Sequence, residues 1–258
     1  MTALVTGASS GIGLVFAREL ARAGNDVLLV SNQQEALESA AKSIATEFGV
    51  RATPLCKDLT EPNAATELHN YCIANHIQTD ILINDAGVFF FNYLQRVPVE
   101  KIEQMVLLHV LTTTRLTRLF GADMQRCRKG YILNMSSLAG LVSMPGIQCY
   151  CATKAYIDNF SRSVWYELHP YGVNVLSVTP GAVDTALYGL TPRLRKLAVR
   201  LHIAIPPEKL VKRALRALFH GKKRCMPGIV NHLYLPLVKH CPDWLIRCAF
   251  RRIEKYMK

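Results

Sequence analysis

Tyr150 and Lys154 stand four residues apart, so on a helix they project from one face. A free phenol, with a pKa near ~10, is a poor proton donor or acceptor at neutral pH. A neighbouring ammonium favours the phenolate and lowers that value. A shift of ~3 units corresponds to roughly 4 kcal/mol of differential stabilisation. The pair therefore offers a tuned acid–base group, although a lone tyrosine of this kind is more often structural. The second chemical feature is Thr6-Gly7-Ala8-Ser9-Ser10-Gly11-Ile12-Gly13, between an apolar run and a helical pattern. Gly7 permits a tight turn, Gly11 lets the backbone approach a pyrophosphate at a helix N-terminus, and Gly13 allows close helix–strand packing. Three glycines alone also suit an ordinary turn; the strand–turn–helix context makes the phosphate reading specific.

These groups need a frame. Apolar runs at 2–6, 26–30, 50–56, 81–84, 131–136 and 173–178 read as strands. Helical patterns fill 11–24, 33–48, 61–76, about 99–126 and 149–169 between them. The strands are continuously apolar rather than alternating, as a parallel sheet covered on both faces requires. The expected fold is α/β, a doubly wound parallel β-sheet flanked by helices. One domain is expected over 1–258, long for one unit but within the α/β range.

Half of the 258 residues are hydrophobic and 19% are charged, with a mean hydropathy of +0.13. A disordered or collagen-like chain is excluded. The formal charge of +12 is unevenly spread. Residues 193–258 carry 17 Lys and Arg against 3 Asp and Glu, a net +14, while residues 1–192 are near neutral at −2. Eight scattered cysteines without a CxxC pair read as reduced thiols. No leader is read before the first strand and no run of 18 apolar residues occurs, so a cytoplasmic protein without a spanning helix is expected.

Further motifs recur in order. Asp58-Leu59 follows the third strand, Asn84-Asp85-Ala86-Gly87 the fourth, and Asn134-Met135-Ser136-Ser137 ends the fifth. Tyr150-Cys151-Ala152-Thr153-Lys154 then opens a helix, and Pro180-Gly181 ends the sixth strand, with Thr185 beyond. With the GxxxGxG spacing of the glycine loop, this ordered set over 1–185 resembles the short-chain dehydrogenase/reductase family, whose fold is of the Rossmann type. The resemblance implies an NAD(P)-dependent oxidoreductase interconverting a secondary alcohol and a ketone. It implies Tyr150 as acid/base, Lys154 as its tuning group and ribose anchor, and Ser137 as the residue that polarises the carbonyl. Ser136 is the neighbouring alternative, disfavoured by spacing. His109 stands where the family commonly has an asparagine that supports a water relay; it is either a relay member or a packed helix histidine. The implied cofactor contacts are Gly7, Ser9, Ser10, Gly11, Ile12 and Gly13 in the first loop, and Ser31 and Asn32 after the second strand. Asp58, Leu59, Asn84, Ala86 and Gly87 follow, then Tyr150, Lys154, Pro180, Gly181, Val183 and Thr185. No metal is expected.

The end of the second strand, Val30-Ser31-Asn32-Gln33-Gln34, lacks the acid that would bind a ribose 2′-hydroxyl and repel a 2′-phosphate. It also lacks the arginine many NADP-preferring members carry. NADP is favoured over NAD. Residues 186–220 correspond to the family's substrate-covering region, and their apolar positions, Leu187, Leu190, Leu194, Leu197, Leu201 and Ile205, suggest a bulky steroid or long-chain keto or acyl substrate. A helix packed on the core is the alternative reading. Residues 228–258 form a basic helical C-terminal extension, loosely similar to the tails of hydroxysteroid dehydrogenase and long-chain 3-oxoacyl-CoA reductase members. Asp243 is expected to cap its last helix. Ile246, Phe250, Ile253 and Met257 share one face of it, with Arg247, Arg251, Arg252, Lys255 and Lys258 on the rest. That pattern suits peripheral contact with an anionic membrane surface. No nucleic-acid-binding module accompanies the charge. A homo-oligomer is expected. The rival reading is a non-catalytic cofactor-binding or peripheral membrane scaffold on the same fold.

Overall fold

The computed structural model describes residues 1–185, 204–228, 235 and 241–253. Strands β1 (Thr2–Thr6), β2 (Asp26–Ser31), β3 (Ala52–Cys56), β4 (Ile81–Asn84), β5 (Gly130–Met135) and β6 (Val173–Val178) alternate with helices. These are α1 (Gly11–Arg22), α2 (Gln34–Phe48), α3 (Ala64–Ala74), α4 (Val99–Val106), α5 (Thr113–Cys127) and α6 (Gln148–Leu168). Beyond them come the short strands β7 (Ala182–Val183) and β8 (Ala204–Ile205), helix α7 (Pro207–Phe219), the short strand β9 (Arg224–Cys225) and helix α8 (Asp243–Ile253). Seven strands form one parallel sheet in the order β3-β2-β1-β4-β5-β6-β9, and β7 pairs with β8 beside it. The expected doubly wound fold is present. The chain order reverses between β1 and β4, and ligands bind such sheets at the carboxyl ends of the strands at this switch point.

Burial on both faces explains the unbroken apolar strands. Ala3, Val5, Val27 and Leu29 face α1, α2 and α7. Their neighbours Leu4, Leu28 and Val30 face α3 and α5 on the other side. The fully buried Phe16 and Leu20 of α1 and Leu37 and Ile44 of α2 supply the first layer. Leu68 of α3 with Leu116 and Phe120 of α5 supply the second.

Three expectations change. The single helix over 99–126 is broken by a π-helical segment, Leu107–Thr112, between α4 and α5. Residues 204–219 do not cover the cleft. Ala204 and Ile205 pair with Ala182 and Val183, and Leu210, Val211, Ala214 and Leu218 of α7 are buried in the core. The other apolar positions of the expected cover, Leu187 to Leu201, lie outside the described residues. Finally, α8 opens with the Pro242 carbonyl accepting from the Leu245 and Ile246 amides, so Asp243 is already inside the helix rather than capping it.

Helix α1 lies so close on the glycine loop that a Cβ on Gly13 would sit 2.4 Å from the Gly7 carbonyl oxygen and 2.7 Å from its carbon. Both are backbone atoms and cannot rotate away. Gly13→Ala is expected to lower the unfolding free energy by about 1–3 kcal/mol, read as a lower urea midpoint at unchanged slope.

Candidate active site

The glycine loop is shaped to admit an anion. Gly7 and Gly11 have φ of +69° and +59°, a conformation that favours glycine. A Cβ on Gly7 would meet the Ala86 backbone at 3.0 Å, whereas the space beside Gly11 is open out to the Thr185 methyl at 3.9 Å. Ser10 caps α1 in an extended conformation without a side-chain hydrogen bond to the first turn. The orphan amides of that turn are therefore available to a phosphate. Thr6 holds the facing wall: its hydroxyl accepts from the Asp85 and Ala86 amides at 3.1 and 3.0 Å.

A cleft of about 470 Å³ runs over the carboxyl ends of the strands. It collects Gly7, Ser9, Ser10, Gly11 and Ile12 of the first loop, Ser31 and Asn32 after β2, and Asp58 and Leu59 after β3. Ala86, Gly87, His109, Ser137, Tyr150, Lys154, Pro180, Gly181, Val183 and Thr185 complete the expected set along its wall. Two residues expected to contact the cofactor stand behind this wall. Gly13 is a packing glycine whose amide donates to Asp85. Asn84 is buried, and its side-chain amide donates to Asn134 Oδ1 at 2.8 Å; Asn134 in turn donates to Ser161 Oγ at 2.9 Å. This amide chain ties β4, β5 and α6 together below the site.

The catalytic candidates are held by the end of β5 and the start of α6. Lys154 is buried and its Nζ donates to the Met135 carbonyl at 2.8 Å. Ser136 Oγ donates to the Lys154 carbonyl at 2.6 Å, which commits Ser136 to structure. Ser137 instead caps the turn Leu138–Leu141, where its Oγ accepts from the Ala139 amide at 3.2 Å. Accepting there, it keeps its hydroxyl hydrogen for an oxygen in the cleft. Lys154 Nζ lies 5.5 Å from the Tyr150 ring centroid. Gly140 is a residue the sequence reading missed: its Cβ would come within 2.5 Å of the Lys154 backbone carbon.

Asp85 brings a carboxylate beside Lys154. Burial pushes the Asp85 carboxyl up to about 7, against the pull of Lys154 and the Gly13 amide. Burial likewise draws the Lys154 ammonium down to about 8, and Asp85 opposes that shift. Each partner opposes the other's loss of charge, but burial outweighs that help in both.

His109 sits in the π-helical segment, buried, with its ring edge-on to Tyr150 at 5.8 Å. Its Nε2 accepts from the Val88 amide at 3.0 Å, so Nδ1 carries the hydrogen and faces Thr153 Oγ1 at 3.0 Å. Burial holds its pKa well below the ordinary value. This neutral ring is a positioning group with both nitrogens engaged, and it bonds to the wall behind Tyr150 rather than to Lys154. π-Bulges of this kind are frequent at functional sites.

At the far end of the cleft, Ser9 and Ser31 hydroxyls lie 2.9 Å apart. Asn32 bonds to Asp58, whose carboxylate also accepts from the amide and hydroxyl of Thr60 and is held below the usual range. Lys57, missed from sequence, lines the same end; its amide donates to the Ser31 carbonyl at 2.9 Å. Its ammonium pairs with Glu61 and Glu67, which raise its pKa.

The short chain dehydrogenase family profile matches residues 1–192. The chain belongs to that family. It is an oxidoreductase acting on CH–OH donors with NAD(P). It is 33% identical over 237 residues to a very-long-chain 3-oxoacyl-CoA reductase of Anas platyrhynchos, covering 90% of this chain and 73% of the relative. Among solved structures, a short-chain dehydrogenase from Sphingobium yanoikuyae in complex with NADPH superposes with a TM-score of 0.80 at 28% identity, covering 94% of this chain and 96% of that one. A bulky-bulky ketone specific alcohol dehydrogenase from Comamonas testosteroni gives 0.78 at 26% identity, with 94% and 95% covered.

Two outcomes test the site. Tyr150→Phe keeps the ring and removes the phenolic oxygen; turnover of this dehydrogenase should fall at least ~100-fold while NADPH binding, followed by fluorescence titration, changes little. His109 is neutral when folded and gains a proton on unfolding below its ordinary pKa of 6.5. The unfolded state binds more protons there, so stability should fall as pH drops below that value and level off above it. His109→Gln should flatten this part of the urea-unfolding pH profile.

Proposed function

We propose that the protein reduces a bulky hydrophobic ketone to a secondary alcohol with NADPH. The observation that carries it is an aromatic cluster packed beside Tyr150. Phe89, Phe90 and Phe91 follow the Asn84–Gly87 turn and pack with Met105, Ile147 and Cys151 around Tyr150. Phe89 meets the Tyr150 ring edge-on at 5.1 Å. An apolar surface against the proton donor suits a substrate whose carbonyl is flanked by hydrocarbon. A small polar ketone would leave that surface wet.

The residues fit the cofactor the family uses. The α1 amides would hold its pyrophosphate, Lys154 its ribose hydroxyls, and the Ser31–Asn32–Lys57 end its adenosine ribose. When bound, the nicotinamide supplies hydride to the carbonyl carbon. Ser137 donates a hydrogen bond to the carbonyl oxygen as it gains charge. Tyr150 gives its phenolic proton to that oxygen, and Lys154 stabilises the phenolate left behind. The protein thus provides orientation and proton transfer. Support for NADPH comes from the absence of an acid at positions 31 and 32 and from Lys57, a cation delivered to that end by the neighbouring strand.

A ketone panel tests the reading. The wild-type enzyme should oxidise NADPH with ketones bearing two bulky groups and be much slower with acetone. Phe89→Ala should lower kcat/KM for the bulky ketone about tenfold or more, within the range of altered hydrophobic pocket contacts, with a smaller effect on a short one. Equal loss on both would refute the hydrophobic-pocket assignment. Lys57→Met should weaken NADPH binding about tenfold and leave NADH binding nearly unchanged. An unaltered ratio would remove Lys57 from the 2′-phosphate site.

A further inference from the structure

We propose that the outer face of α8 is a docking surface for an anionic lipid bilayer. Ile246, the first residue of the expected lipid-facing stripe, is half-buried. It lines a groove with Leu141, Met144 and Pro145 of the loop after β5 and with Cys151 of α6. Other side chains of the helix are exposed. Trp244 and Leu245 are 66% and 45% exposed, and Arg247, Cys248 and Arg251 are exposed beside them. Trp244, Cys248 and Arg251 follow each other at helical spacing on one side.

A solvated helix face accounts for the arginines but not for an indole and a leucine left together in water. An indole and an aliphatic side chain flanked by guanidinium groups match an interfacial helix: the ring sits at headgroup depth and the cations meet anionic lipid. The larger charge pattern agrees, since residues 193–258 carry a net +14 and the rest of the chain −2. Among the described residues no helix is long and apolar enough to cross a membrane, so the contact is peripheral. The groove beneath α8 is built from the segment joining Ser137 to Tyr150. The bilayer would lie beside the catalytic loop, on the side from which an apolar ketone dissolved in lipid could reach it; that last step rests on the proposed function, whereas the docking does not.

Sedimentation of the full-length protein with vesicles of phosphatidylcholine and phosphatidylserine in equal amounts tests the surface. Binding is expected at low salt, with strong weakening at high salt and little binding to phosphatidylcholine alone. Arg247→Gln with Arg251→Gln should reduce partitioning about 30-fold, the equivalent of about 1 kcal/mol for each cation near the surface. Trp244→Ala with Leu245→Ala should also reduce it, while NADPH binding and reduction of a water-soluble ketone stay at wild-type levels and show the fold is intact. The second tryptophan, Trp165, donates its indole hydrogen to the Gly221 carbonyl and stacks on His169. A Trp165→Phe chain therefore reports Trp244 alone, and its emission should shift to the blue on vesicle addition. Protein remaining in the supernatant at low salt overturns the proposal. So does vesicle binding indifferent to both double variants, an unshifted Trp244 emission, or capture by duplex oligonucleotide in place of vesicles. Loss of ketone reduction with vesicle binding retained would count against the proposed function alone.

Discussion

The double tie between Lys154 and the end of β5 is the constraint on which the site depends. Its ammonium donates to the Met135 carbonyl, and its own carbonyl accepts from Ser136. One bond fixes the side chain, the other fixes the turn of α6 that carries it. Tyr150, one turn earlier on the same helix, is placed by the same pair of bonds. Ser137 is the next residue of the strand end that makes them. Tyr150, Lys154 and Ser137, the proposed acid, tuning cation and hydrogen-bond donor, thus share one junction. A shift of α6 along β5 would break both bonds and carry Tyr150 and Lys154 away from Ser137. The Asn84–Asn134–Ser161 chain below opposes such a shift. Buried amides committed to one another lose more than one bond if the register slips, because each would be left unpaired in a dry interior.

Asp85 changes the electrostatics of this junction. An amide at that position would leave Lys154 as the main local charge. A carboxylate makes the pair close to neutral and, by opposing the desolvation of the ammonium, keeps it protonated. The same negative charge also weakens the field that Lys154 exerts on the phenol. The Gly13 amide favours the charged carboxylate by donating to it, so the N-terminus of α1 shares in holding Asp85. Cofactor loop and catalytic helix are thereby coupled through one side chain.

Much of this arrangement was legible in the sequence, because periodicity and motif order are local properties. The parallel sheet followed from unbroken apolar strands, the candidate glycine loop and Ser137 from their positions at strand ends, and Tyr150 and Lys154 from their spacing at the start of a helix. What escaped needed the third dimension. The two-residue strand β9 has no periodicity to read; it is held by pairing with Ser177 and Val178 and by an Arg224 contact to the buried Asp158. The π segment at His109 arises inside a continuous helical pattern. Its signal was only the unusual histidine, and its bonds to Val88 and Thr153 join residues distant in sequence. The run Val88-Phe89-Phe90-Phe91 was visible, but its meaning depends on the position of α6. For residues 186–220 the apolar spacing fitted a cover and a core helix equally; within that region, residues 207–219 pack against α1 and the sheet.

Lys57 shows how a strand order can supply what a motif lacks. The end of β2 carries neither an acid nor an arginine, and from sequence alone that left the 2′-position without an attractive charge. In the sheet β3 lies beside β2, with Ser31 in register with Cys56, so the next residue of β3 emerges at the same edge. Its backbone is then fixed by the bond to the Ser31 carbonyl. Glu61 and Glu67 hold the ammonium without a ligand. They limit its net attraction for phosphate, but they also orient a long side chain that would otherwise lose rotamer freedom on binding. A cation already held in place loses less entropy when an anion arrives. Its strand neighbour thereby gives this edge a basic group without an arginine on β2, and the 2′-phosphate of the proposed NADPH would meet no acid at positions 31 and 32.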